Sequence, residues 1–139
     1  MTALYCHRLQ EAVFSRLSAD EELSARFSGI YDEVPLGAAM PYLAMGETSV
    51  SPAGLKDIAG GTVTFTLFVW SDGGGQLECK ELMTAVDCLL ARHQPMLPGC
   101  HAGEITLTAA AVTRQYSENG SRYRGRLVFR VPIYEADPL

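Results

Sequence analysis

No stretch of this 139-residue chain approaches the roughly 20 consecutive apolar residues of a membrane helix. Its opening, MTALYCHRLQEAV, lacks the basic start and long apolar centre of a secretory signal. The expectation is a protein made and kept in the cytoplasm, or exported without such a signal. Internal repeats and low-complexity segments are missing too, which excludes a solenoid or a linker-like chain. Positive charge is scarce: the net charge of −5 argues against tight sequence-independent binding to nucleic acid. Cysteine knuckles are absent. Cys6, Cys79, Cys88 and Cys100 are widely spaced, and without a secretory signal they read as reduced and structural. Two of them fall on predicted helix faces, where cysteine packs as a small hydrophobe.

What is present suits one folded domain spanning residues 1–139. Hydrophobic residues make up 47% of the chain, enough for a real core at this length. The centre of the pattern is Thr62–Leu90. Val63, Phe65, Leu67 and Val69 alternate onto one face of a strand, with Thr62, Thr64, Thr66, Phe68 and Trp70 on the other. Ser71 and Asp72 can cap the helix that follows, and Gly73, Gly74 and Gly75 let the backbone turn. That helix carries Leu82, Met83, Val86, Leu89 and Leu90 on one stripe and ends near Arg92 and His93.

Before this unit, Thr2–Leu17 reads as a helix capped by Thr2, with Tyr5, Leu9, Val13 and Leu17 four apart. Ser18 and Glu21 have capping-box spacing for a second short helix, which Gly29 ends. Ile30–Val34 and Pro41–Gly46 are short strands. Glu47–Gly61 reads as a polar loop, long enough to suggest a purpose. After the unit come two long strands, Glu104–Tyr116 and Tyr123–Glu135, with Asn119-Gly120 as the expected centre of the hairpin turn. Ile105, Leu107, Ala109 and Ala111 are expected to share a face. Leu127, Phe129, Val131 and Ile133 share another. The fold class is α+β: a mixed, largely antiparallel sheet of about four to five strands, packed with one long helix and N-terminal helices.

Several patterns invite chemistry. The three glycines before a helix suggest an anion loop, but no Lys-Ser/Thr pair follows, and Glu78 and Glu81 would repel a phosphate. Cys79 and Cys88 are nine residues apart, so they project about 180° apart on an ideal helix and do not share a metal ion readily. Cys100 with His101, or Cys6 with His7, would be the residues of a small Cys/His enzyme, though neighbours in sequence rarely point at each other. The carboxylate pairs Glu21-Glu22 and Asp32-Glu33 read as solvated faces. No catalytic, cofactor or metal site is assigned.

The arginines are more informative. Residues 104–139 hold five arginines against four acids, whereas residues 1–60 carry a net charge of −4. Arg122, Arg124, Arg126 and Arg130 alternate onto one side of a strand, and Arg114 is expected nearby on its partner. The plain reading is an exposed sheet face with solvated guanidinium groups. The functional reading is a polar interface or a DNA-facing surface.

The segment IYDEVPLGAAMPYLAMGE, residues 30–47, is similar to a signature of small tail-completion, or tail terminator, proteins of long-tailed phages and gene transfer agents. Leu17-Ser18-Ala19-Asp20 in the preceding helix region and Val69-Trp70-Ser71 at the end of the central strand resemble further parts of that pattern. The resemblance extends from about Leu9 to Ile133. It implies a non-enzymatic virion protein without cofactors, built into a homohexameric ring. Such a ring would cap the tail tube, stop its polymerisation and join tail to head; the alternative reading is another tail or head-tail connector ring protein. The implied partners are the tail tube protein and a head-tail connector protein, with DNA passing through the lumen unbound. The implied location is the virion tail, assembled in the bacterial host cytoplasm. The family carries no catalytic residues to transfer. Tyr31, Pro41 and Tyr42 in the signature, together with Arg114, Arg122, Arg124 and Arg126, are the candidate subunit, tail or DNA contacts. The Glu47–Gly61 loop and the Ser117–Ser121 hairpin tip are expected to reach neighbouring subunits or rings.

Overall fold

Two periodicities build the molecule: a period of two along the strands and a stripe of leucines and valines along the helices. The computed structural model describes residues 6–52, 60–118 and 120–135. Helix α1 spans Cys6–Ala19 and buries Leu9, Val13 and Leu17, as their spacing requires. The expected cap at Thr2 and the packing of Tyr5 lie outside the described residues. Helix α2, Glu21–Arg26, is capped by Asp20, whose Oδ1 accepts from the Leu23 N–H at 2.8 Å. Ser18 is therefore not the cap: it still belongs to α1, which runs on to Ala19. The helix stops at Arg26, ahead of Gly29, because Phe27 turns extended and buries its ring.

Strand β1, Gly29–Tyr31, is shorter than expected and pairs parallel with the start of β2, Tyr42–Pro52. β2 begins one residue after Pro41 and runs six residues past Gly46. The polar segment after Gly46 is thus largely strand, because Thr48–Pro52 pair with Gly61–Phe65 across a bulge between Met45 and Thr48. Backbone pairing overrides the polar composition there. What is left of the expected loop, residues 53–59, lies outside the described residues.

Strand β3, Gly60–Ser71, is the sheet's spine. It pairs antiparallel with β2 on one side and with β6, Gly120–Glu135, on the other. Beyond β6 lie β5, Thr106–Ser117, and a short strand absent from the sequence reading, β4, Cys100–Ala102. The result is one six-stranded, mostly antiparallel sheet. Gly120 has φ +110 and pairs with Ser117, so it opens the return strand and is not the turn's centre. Asn119 lies outside the described residues.

Helix α3, Gln76–Leu90, crosses one face of the sheet with α1. Its Leu82, Met83, Val86 and Leu90 meet Val63, Phe65, Leu67 and Val69 of β3 and Leu127, Phe129, Val131 and Ile133 of β6 in one core. Phe65 and Phe129 are register partners with rings stacked at 5.4 Å. Each such buried side chain contributes roughly 1.5–3 kcal/mol. The opposite face of the sheet carries no helix among the described residues.

Candidate interaction surface

The uncovered face takes the other half of each strand's alternation. From β2 it receives Tyr42, from β3 Phe68 and Trp70, and from β6 Arg122, Arg124, Arg126 and Arg130. Register sets the spacing. Tyr42 pairs with Trp70, Trp70 with Arg124, and Phe68 with Arg126. Diagonal neighbours in a sheet are within reach of long side chains, so the rings and cations interleave. Tyr31 meets Tyr42 edge-on at 5.9 Å, and Tyr42 stacks on Trp70 at 6.4 Å. The Arg122 guanidinium sits 6.0 Å from the Trp70 ring centre, and that of Arg124 sits 5.0 Å from Phe68. Such cation–ring contacts contribute about 0.5–1 kcal/mol each where exposed.

This row is packed closely enough to constrain its neighbours. A Cβ at Gly46 would lie 2.5 Å from the Phe68 ring, so glycine there leaves the ring its space against β2. The Arg124 Nε is buried and has no hydrogen-bond partner among the described residues. Burial pushes the Tyr42 phenol above its ordinary pKa, with Arg122 pulling it down and Tyr31 pushing it up. The described ion pair joins Arg26 to Glu81 at 3.4 Å and lies elsewhere. None among the described residues reaches Arg122, Arg124, Arg126 or Arg130. The outward positions of β3, β5 and β6 carry no carboxylate.

The structure brings Tyr31, Tyr42, Arg122, Arg124 and Arg126 together. Pro41 stands beside them, in a cis peptide, with its carbonyl accepting from the Ser28 N–H at 2.7 Å. Arg114 does not join them. It pairs with Tyr123, a buried side chain of the helix-covered face, and lies 5.6 Å from that ring. The cause is a bulge between Leu107 and Ala109, which advances β5 by one residue. The same slip separates Leu107 from Ala109 and Ala111: Leu107, Ala110 and Val112 face the helix layer instead. Phe68 and Trp70 were placed on this face by their alternation, but their role as platforms for the arginines was not visible in sequence. Only the β3–β6 register supplies it.

The groups that suggested chemistry elsewhere are set apart by the fold. Glu78 turns its carboxylate back toward the glycine turn and accepts from the Ser71 hydroxyl at 2.6 Å. Its oxygens lie 2.9 Å from where a Gly73 Cβ would stand, so a carboxylate already fills the space an anion would need. The N-cap of α3 is Gly75, and neither Ser71 nor Asp72 caps it. Cys79 is fully buried and Cys88 exposed, on opposite sides of α3. Cys88 is thus not a packing residue, a correction to the small-hydrophobe reading. Burial, aided by Glu78, pushes the Cys79 thiol up to about 11. On β4, Cys100 points inward and His101 outward, so alternation parts the suspected pair. Burial raises the Cys100 thiol as well, the wrong direction for a nucleophile. A groove of about 480 Å³ between α3 and β5 contains Asp87 and Lys80 among Met83, Leu107 and Val112, with no cysteine, serine or histidine in its lining.

Residues 11–134 match the family model for tail completion protein gp17. The chain belongs to this family. The tail-completion fold also matches one chain of the solved virion of a native gene transfer agent particle. That match has a TM-score of 0.80 and 28% identity, and covers 92% of this chain and 96% of that one. No curated protein matches. The resemblance read from residues 30–47 is borne out. This tail-completion protein has a structural role in a phage-type tail.

Proposed function

We propose that this tail-completion protein forms a homohexameric ring that caps the tail tube, stops its polymerisation and joins the tail to the head. The observation that carries the reading is the family match over residues 11–134. It works without catalysis or cofactor, as one domain. Its partners are its own copies, the tail tube protein and a head-tail connector protein. It resides in the virion tail and assembles in the bacterial host cytoplasm.

Open sheet edges support assembly with neighbours. β1 covers β2 only over Tyr42–Ala44, and β5 pairs only with β6 among the described residues. β5 carries no charge from Thr106 to Thr113, and the bulge between Leu107 and Ala109 is the one device in that stretch that would blunt a free edge. Head-to-tail contacts close into a ring when the rotation fits. A globule of this length is roughly 35–40 Å across, so six in contact leave a hole about one subunit wide, enough for a DNA duplex. The net charge of −5 favours passage over retention. Tyr31, Pro41, Tyr42, Arg122, Arg124 and Arg126 are proposed contacts to subunits or tail.

Deleting the gene from a producing host and imaging the particles tests this. The expected outcome is overlong tails, or tails and heads that fail to join. Normal joined particles would refute it, and complete absence of tubes would point to a tube protein instead.

A further inference from the structure

We propose that the arginine–aromatic face is a docking surface for the Asp32–Met40 loop of a second copy of this chain. The inference rests on the ring reading above and names the surfaces that meet in it.

The face is half of an interface. It offers Phe68, Trp70, Arg122, Arg124 and Arg126, residue types enriched where protein partners bind. No described ion pair reaches its arginines, and among the described residues the one carboxylate that shares a pocket with them is Asp72, beside Arg122. Arg122, Arg124 and Arg126 leave one face of a strand at backbone positions about 7 Å apart, and like charges gathered on one strand favour an incoming anion.

The other half is on the same chain, at the far edge of the sheet. The loop leaving β1 carries Asp32 and Glu33, both exposed, and then Leu36, a fully exposed large apolar side chain. The loop is not slack. The Ala38 N–H donates to the Pro35 carbonyl at 3.2 Å, and Gly37 has φ +78. That closes a tight turn with glycine at its third position and Leu36 at its tip. Two carboxylates beside an apolar knob match guanidinium groups beside aromatic rings. Asp32 and Glu33 leave β1, three strands from β6 in sheet order, or about 14 Å at the usual strand spacing, and no described ion pair joins them to the arginines, although Met40 at the loop's other end borders Arg122. A neighbouring copy can supply the complement. A patch centred on β3 and β6 and a complement on the loop that leaves β1 are different surfaces, so their contact between copies is heterologous, the kind that generates rings.

Duplex DNA is the other polyanion to weigh. Three arginines from each of six copies lining a lumen would release many counterions and hold the duplex, against its passage. Contact with Trp70 and Phe68 also holds the guanidinium groups of Arg122 and Arg124 over those rings, where a loop can cover them.

Charge reversal with rescue tests the proposal in host cells lacking the gene and supplied with variants. The exposed positions are used, sparing partly buried Arg124. Arg122→Glu with Arg126→Glu, and separately Asp32→Lys with Glu33→Lys, should each lower joined particles at least about tenfold. All four changes in one chain should restore them, as should supplying the two double variants together. Circular dichroism melts of the purified variants establish that they fold. Leu36→Ser, which keeps every charge, should also reduce yield. Particle yields unaffected by either reversal would overturn the proposal. So would loss from the arginine pair alone, which indicates DNA or another acidic protein, and so would loss from both pairs without rescue. These failures leave the tail-completion role intact. That role fails separately, if deleting the whole gene leaves particles normal.

Discussion

The two faces of the sheet are made by the same strands and follow opposite rules. On β6, Leu127, Phe129, Val131 and Ile133 point into a helix-covered core, while Arg122, Arg124, Arg126 and Arg130 point away from it. The inner face is closed: its side chains fill one another's space, and its stability comes from burial. The outer face has rings and cations in contact but nothing laid over them among the described residues. One face holds the fold together, and the other is available for assembly. Substitutions on the two should therefore separate stability from assembly.

The largest effect is expected at the centre of the inner face. Phe129→Ala removes a fully buried ring stacked on Phe65 and should cost about 3–5 kcal/mol, measured by urea unfolding. A smaller effect on the same face tests tightness of fit. A Cβ at Gly125 would lie 2.4 Å from the Met83 sulfur and 3.0 Å from that of Cys79. Gly125→Ala should cost about 1–3 kcal/mol in the same measurement. The smallest stability effect is expected outside. Arg126→Ala should change unfolding by no more than about 0.5 kcal/mol, while lowering the yield of joined particles. A large unfolding change at Arg126, or a negligible one at Phe129, would erase the distinction between the faces.

Much of the inner face was legible in the sequence. The alternation from Val63 to Val69 and from Leu127 to Ile133 and the stripe from Leu82 to Leu90 fix which side chains must be covered, and hence a helix layer on a sheet. The strand extending β2 past Gly46 was missed because Thr48, Ser49 and Ser51 look like loop residues, and only pairing with β3 makes them strand. β4 was missed because three residues are too few to show a period. The outer face was half legible: four arginines on one side follow from alternation alone. Their aromatic partners did not, since Trp70 and Phe68 meet Arg122 and Arg124 only through pairing of chain segments some fifty residues apart.

Arg114 shows where the division falls. By itself the sequence determined the periods, the layers, the family pattern and the arginine side of β6, because each depends on residues close together in the chain. The tertiary structure alone decided the register. One extra residue between Leu107 and Ala109 is invisible in a local pattern, yet it turns the rest of β5 over and carries Arg114 to the face opposite Arg122, Arg124 and Arg126. Side chains alternate with a period of two, so a slip of one residue exchanges the faces, and only the distant strand that pairs can say whether the slip occurs.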